Sequence, residues 1–380
     1  IEAEGQSSAI VNRKISRILR VHFRKRRVAT VGPDLSHRRT LVNQVLRAPS
    51  VRRAIMAEAG DDFRKQEVAR HKAQKYALEI AADISYTFVR IAQRFLKWLW
   101  HRIYDGIELN HIDRLHEVAR EKEVVYVPCH RSHFDYLLLS YIVYNSGLHL
   151  PHIAAGINLN MPVVGRILRR GGAFFLRRTF KGNRLYAAVF DAYLNEIIAR
   201  GHSIEYFIEG GRSRTGRLLS PKGGMLAMTV NSFIKNRQRP IVFVPVYFGY
   251  EKLIEGDSFI SELGGAKKKK ESLGGLIRSI RSLRDQFGRV YVNIGEPIEL
   301  EPVLDRMHPE WRDHEAENGE RPPWLAGVVD QLGLEIMSRI NSAAAVTPIS
   351  LLAYALLATP KQKIGINELQ RQLTLSMDLI

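Results

Sequence analysis

Strong helix formers with few Pro or Gly run from about Ala9 to Val118, and the pattern predicts helix throughout. Within it, Phe88 to Ile107 has a marked two-sidedness. Arg90, Arg94 and Lys97 fall at i, i+4, i+7 on one face. Phe88, Ile91, Phe95, Trp98, Leu99 and Ile103 occupy much of the rest, with Trp100 beside them. A basic stripe next to bulky apolar and Trp side chains is what a helix lying in a membrane interface needs, although the same residues also build cores. From Glu121 the texture changes. The β-prone run Val124-Val125-Tyr126-Val127 leads through His130-Arg131-Ser132-His133-Phe134-Asp135 to apolar Leu137-Leu138-Leu139, which reads as strand, loop, helix. Ala173 to Leu176 precedes a helix near Leu185 to Ile198, and Ile204 to Ile208 precedes a Gly- and Arg-rich loop. Ile241 to Val246 and Val290 to Ile294 supply two more strands. Strands alternating with helices predict an α/β fold with a mixed sheet flanked by helices. Three regions follow: a basic helical one over 1–118, an α/β domain over 119–304 and a C-terminal helical segment over 305–380.

The polar stretch Asp313 to Pro323 reads as a linker, and Trp324 to Leu357 and Ile364 to Leu373 as helical. Lys267 to Lys270, bracketed by glycine pairs, reads as a mobile loop. No stretch reaches about 18 uncharged apolar residues, so membrane contact is expected to be interfacial. No charged-then-apolar leader opens the chain at Ile1, and the expectation is a part of a longer protein.

Charge narrows the partners. Fifty-seven Lys and Arg against 39 Asp and Glu give +18, so anionic ones are favoured: phosphate esters, acidic lipid, an acidic carrier protein or nucleic acid. Ten of the basic residues lie between Arg13 and Arg39, against one acidic residue, Asp34. The one cysteine, Cys129, excludes an intrachain disulfide and a thiolate zinc cluster. No clustered metal-ligand spacing occurs, and no zinc-finger or RNP-like signature supports nucleic acid.

Three constellations carry candidate chemistry. With His130 on the loop and Asp135 in the first turn of the following helix, the carboxylate can accept from one ring nitrogen and leave the other as a base. A helix-capping His and an Asp favoured by the helix dipole is the structural alternative. Gly171-Gly172-Ala173-Phe174-Phe175-Leu176-Arg177-Arg178 ends in an Arg pair suited to clamping phosphate. Glu209-Gly210-Gly211-Arg212-Ser213-Arg214-Thr215-Gly216-Arg217 combines close backbone approach with two alternate arginines. Gly211 and Gly216 have P-loop spacing, but Arg217-Leu218 stands where Lys-[Ser/Thr] is required. A nucleophile elbow fails too, since Gly216 comes one residue late after Ser213.

The His-Asp pair, the Phe-Phe-Leu-Arg-Arg block, the Phe-x-Glu-Gly-Gly-Arg-Ser-Arg loop and the Val244-Pro245-Val246 strand occur in that order. Together, over about Val124 to Pro297, they resemble the four motifs of the glycerolipid acyltransferase superfamily, and within it the bacterial membrane-bound sn-glycerol-3-phosphate acyltransferases. The resemblance implies acyl transfer from acyl-CoA or acyl carrier protein, as co-substrate and without a cofactor, to the sn-1 hydroxyl of glycerol 3-phosphate. His130 would be the base and Asp135 its orienting partner. Arg178, Glu209, Gly210, Arg212 and Ser213 would sit at the glycerol phosphate, with Pro245 on the acyl-donor side and Arg217 a secondary phosphate candidate. The implied place is the cytoplasmic face of a bacterial inner membrane. Lysophosphatidate or dihydroxyacetone phosphate acylation is the neighbouring reading, and a covalent acyl-enzyme on Cys129 or Ser132 the rival route. A non-enzymatic binding module leaves the ordered motifs unexplained. Backbone N–H groups at Gly210 and Gly211 are candidate oxyanion donors.

Overall fold

A computed structural model describes residues 16–19, 21, 38–180, 182–237, 239–265, 286–313, 321–359 and 363–379. The Lys267–Lys270 loop, most of the basic Arg13–Arg39 stretch and the middle of the Asp313–Pro323 linker therefore lie outside the described residues.

From Arg38 onward four helices come first: α1 (Arg38–Arg47), α2 (Pro49–Ala59), α3 (Phe63–Ile80) and α4 (Tyr86–Ile103). Their starts follow local rules. Pro49 opens α2 where a missing N–H costs nothing, Asp62 accepts from the N–H groups of Arg64 and Lys65, and Ser85 accepts from Phe88. The stretch read as helix to Val118 is broken after Ile103. Gly106–Asn110 is a strand, β1, held in parallel register against Arg289–Ile294. Helix propensity lost there to tertiary pairing, since the strand's backbone is satisfied by a partner some 180 residues away. After α5 (Ile112–Val118) come β2 (Glu123–Pro128), α6 (Asp135–Asn145), β3 (His152–Gly156), α7 (Val164–Arg170), β4 (Ala173–Leu176), α8 (Arg184–Ala199), β5 (Ile204–Glu205) and α9 (Gly223–Lys235); the sequence pattern marks β2, α6, β4, α8 and a longer β5, but not β3, α7 or α9. Then come β6 (Ile241–Tyr250), α10 (Gly256–Leu263), β7 (Arg289–Ile294), β8 (Ile298–Glu299), α11 (Leu300–Met307) and α12 (Leu325–Ser342). The continuous helix expected to Leu357 stops at Ser342. Thr347 and Ser350 form a capping box, with Pro348 at the first turn, and start α13 (Pro348–Ala358). The last helix, α14 (Ile366–Asp378), runs further than the pattern marked.

Among the described residues eight strands form one sheet in the order β1-β7-β6-β2-β5-β3-β4, with β8 pairing β6. Strands β2 to β6 are parallel, whereas β7 and β8 run against β6. The architecture is the expected mixed sheet flanked by helices. Central β2 is buried along its whole length, which explains an uninterrupted apolar run rather than alternation. Pro245 stands within β6, where a proline would ordinarily cost a ladder bond. It lies between the stretches of β6 that pair β8 and β7, and there its carbonyl accepts from Gly295, on the connection between those two strands. In extended backbone the N and O of one residue point the same way, so the missing N–H faces that gap. Among the described residues no helix is long and apolar enough to cross a membrane.

Candidate active site

The C-terminal end of β2 carries the reactive pair. Cys129 N donates to Val246 O, extending the ladder with β6 by one bond, and the chain then turns through residues 130–134 into α6. Asp135 opens that helix and is fully buried. Its Oδ2 accepts from the N–H of Arg131 at 2.6 Å and of Ser132 at 2.9 Å, and His130 Nδ1 lies 3.0 Å away. Its Oδ1 accepts from the Tyr250 hydroxyl at 2.6 Å. An ionised carboxylate only accepts, so Nδ1 carries the proton and Nε2 keeps the lone pair. The imidazole is stacked on Phe207, with ring centroids 3.8 Å apart, and its side chain keeps 16% exposure. Burial first, and Asp135 next, raise the Tyr250 pKa well above the phenol range, so this donor stays protonated.

The loop after β5 is tied onto the His130 turn. The buried Glu209 carboxylate accepts from His130 N at 2.8 Å through one oxygen and from Leu219 N at 2.8 Å through the other, and Ser213 N donates to His130 O at 2.9 Å. Glu209 and Ser213 thus brace the base rather than face solvent. Gly210 turns with φ +61°, and a side chain there would run into Lys222. Its N–H is used by Phe207 O at 3.0 Å, so of the two candidate oxyanion donors Gly210 is committed to the turn.

The arginines divide differently from the sequence pattern. Arg177 holds Glu79 through two bonds of 2.8 Å and lies over the rings of Tyr76 and Tyr186, and the Glu79 carboxylate raises its pKa. It fastens β4 to α3, and the structure does not bring it to the dyad. Arg214 bonds Glu262 at 2.6 Å, and Arg212 stands 3.6 Å from Glu255, both against Phe259. Arg178 and Arg217 are exposed. Pro245 is buried in β6, one residue before the strand position that bonds Cys129.

Sequence reading missed Tyr250 and Glu255. Glu255 accepts from Ser132 Oγ at 2.9 and 3.1 Å and from His133 N at 2.8 Å, fixing the first turn before α6. Both lie more than 100 residues beyond the dyad, and no local spacing announces them. The Ser132 hydroxyl is thereby spent and buried, and burial pushes the Cys129 thiol up to about 12.

Comparison with known proteins decides the family. A family model described as Acyltransferase matches residues 110–249, and one described as Glycerol-3-phosphate acyltransferase C-terminal region matches residues 259–380. A protein of Pseudomonas paraeruginosa named glycerol-3-phosphate acyltransferase is 52% identical over 377 residues, 99% of this chain. One of Xanthomonas campestris pv. campestris with the same name is 53% identical over 379 residues. The chain belongs to the glycerol-3-phosphate acyltransferase family. It spans 45% and 43% of the lengths of those two relatives. Among solved structures, the 1-acyl-sn-glycerophosphate (LPA) acyltransferase PlsC of Thermotoga maritima matches over 81% of this chain and 97% of its own, with 16% identity and a TM-score of 0.36.

Proposed function

We propose that this chain carries the site at which a fatty acyl group passes from a thioester, acyl-CoA or acyl-[acyl carrier protein], to the sn-1 hydroxyl of glycerol 3-phosphate, giving lysophosphatidate. The observation that carries the reading is the dyad. His130 has Nδ1 spent on a buried carboxylate and, among the described residues, no partner at Nε2, at a partly open strand end. Nε2 takes the hydroxyl proton as the oxygen attacks the thioester carbonyl. The C–S bond breaks when the tetrahedral adduct collapses, and the imidazolium returns the proton to the departing thiolate. Asp135 stabilises the imidazolium between those steps. Direct attack is favoured over an acyl-enzyme because the Cys129 thiol is buried and protonated and the Ser132 hydroxyl is bonded to Glu255. The names of the relatives favour glycerol 3-phosphate as acceptor. The test follows thioester consumption against glycerol 3-phosphate, lysophosphatidate and dihydroxyacetone phosphate. His130→Ala should lower the rate about 10²- to 10⁴-fold. An undiminished rate would remove the base, and transfer to lysophosphatidate with none to glycerol 3-phosphate would change the acceptor.

The same reading puts the chain on an anionic membrane surface, at the cytoplasmic face of a bacterial inner membrane. Of the α4 residues singled out in the sequence, Leu99, Trp100 and Ile103 pack into the core, whereas Ile91 (63% exposed), Phe95 (50%) and Trp98 (55%) face outward beside exposed Arg94 and Lys97. A second apolar strip, Val163 (61%) and Ile167 (49%), lies on α7 and the residue before it, with exposed Arg166 and Arg170. The strips are tied together, since Asp83 N and Ser85 N donate to the carbonyls of Arg169 and Arg170. Bulky apolar side chains edged with cations suit an interface of anionic lipid. Because β3 runs parallel to the β2 side of the sheet, the loop leading to Val163 leaves the edge that bears His130. In flotation with phosphatidylglycerol vesicles, Phe95→Ser/Trp98→Ser should lose binding that salt weakens. Absence of binding by the unaltered chain at any salt concentration would remove this part of the reading.

A further inference from the structure

The proposed acceptor ends in a phosphate, and the arginines expected to receive it are mostly committed to carboxylates. Arg177 is bound to Glu79, Arg214 to Glu262, and Arg212 faces Glu255. Arg131 is placed differently. It follows His130 directly, and its backbone is pinned by the bond from its N–H to Asp135. Its guanidinium lies 5.8 Å from the Tyr247 ring centre, and Nη1 stands 3.3 Å from where a side chain on Gly216 would begin. Its Nε is buried and has no acceptor among the described residues. Among the described residues no carboxylate pairs with it. The neighbouring Cys129 thiol is no counter-ion, because burial keeps it protonated.

A partly buried cation without a counter-ion is costly unless a ligand supplies one. The guanidinium fork matches phosphate oxygens, and here the backbone that carries it is anchored one residue after the base. Gly216 contributes by absence: with φ +80° it sits in the left-handed region, and any side chain would press on Nη1. In glycerol 3-phosphate the reacting hydroxyl and the phosphate are separated by three carbons. A phosphate cation adjacent in sequence to the base suits a molecule of that length.

We propose that Arg131 binds the phosphate of the acceptor and so sets the preference for a phosphorylated glycerol over glycerol itself; this rests on the acyl-transfer reading above. Loss of one charge-assisted contact predicts a KM for glycerol 3-phosphate raised about 10- to 100-fold in Arg131→Gln. At saturation kcat should stay within a few-fold, the KM for acyl-CoA should be unchanged, and the slow acylation of plain glycerol should equal that of the unaltered chain. Arg131→Lys should recover part of the loss, and Arg177→Gln should leave the acceptor KM alone. A fall in kcat with unchanged KM, or an equal loss on glycerol, would overturn the proposal. A raised KM for acyl-CoA instead would assign Arg131 to the phosphates of the donor and overturn it equally. Should the unaltered chain acylate neither acceptor, the functional reading fails, and the phosphate site is then judged by calorimetry with glycerol 3-phosphate at fixed ionic strength. Binding lost in Arg131→Gln would support the site; equal binding in the two proteins, or none in the unaltered chain, would end it.

Discussion

Removing the Tyr250 hydroxyl separates what holds Asp135 from what Asp135 does. In Tyr250→Phe the carboxylate oxygen Oδ1 loses a donor at 2.6 Å, while Oδ2 keeps both backbone N–H groups and the imidazole. Asp135 is fully buried, so water does not readily replace the lost donor. A hydrogen bond to a charged group contributes about 1.5–3 kcal/mol, and leaving a buried acceptor unpaired costs a similar amount. The expected loss of stability is therefore ~2 kcal/mol. With a urea m-value of about 3 kcal/mol/M, the midpoint would fall by ~0.7 M. Catalysis should suffer far less than in Asp135→Ala, because the oxygen that orients the ring is untouched. We expect kcat to fall by no more than about tenfold, against several hundredfold or more for Asp135→Ala. The assay pairs urea unfolding at pH 7, read by tryptophan fluorescence, with thioester consumption. An unchanged midpoint would mean that Oδ1 is solvated. A kcat as low as that of Asp135→Ala would mean that Tyr250 and not the backbone positions the carboxylate.

Arg177→Gln should cost about 1–2 kcal/mol in the same unfolding assay, from a part-exposed ion pair and two ring contacts, without altering acceptor KM; a raised KM with unchanged stability would restore it to the phosphate site. Glu205 is fully buried with both oxygens unpartnered among the described residues, and burial, then Asp135, raises its pKa. Its stabilising influence is complete below the unfolded value near 4.5 and is lost as pH rises toward the folded one, so Glu205→Gln should gain stability over the unaltered chain between pH 4 and pH 8. A difference that does not change with pH would refute this. His149 and His152 have pKa values lowered by burial. The unfolded chain binds their protons first, so stability should fall as pH drops below about 6.5, and His152→Phe should make that limb shallower in unfolding measured from pH 7.5 to 5. An unaltered limb would mean that His152 is not the source.

The parts legible in the sequence were those whose causes are local. The run Val124 to Val127 is apolar without alternation because β2 is buried on both sides, and the dyad sits where a strand hands over to a helix. The edge strand β1 was missed because Gly106–Asn110 is only half buried and takes its backbone partners from β7. Arginine blocks report charge, but charge does not name a partner. Glu79, Glu255 and Glu262, which claim three of them, are distant in sequence from the residues they neutralise. Tyr250 and Glu255 were invisible for the same reason, since the bond of Tyr250 to Asp135 and those of Glu255 to Ser132 and His133 exist only after β6 has paired with β2.

The double grip of Glu209 on His130 and Leu219 bears on how this chemistry could be moved to another protein. A short His-to-Asp segment grafted onto a foreign strand-loop-helix would arrive without the carboxylate that secures the His130 amide, the serine amide that secures its carbonyl, and the tyrosine behind Asp135. The smallest portable unit is therefore a set of three strand ends, those of β2, β5 and β6, with the turns that follow them. A designer would have to transplant an edge of the sheet, not a motif.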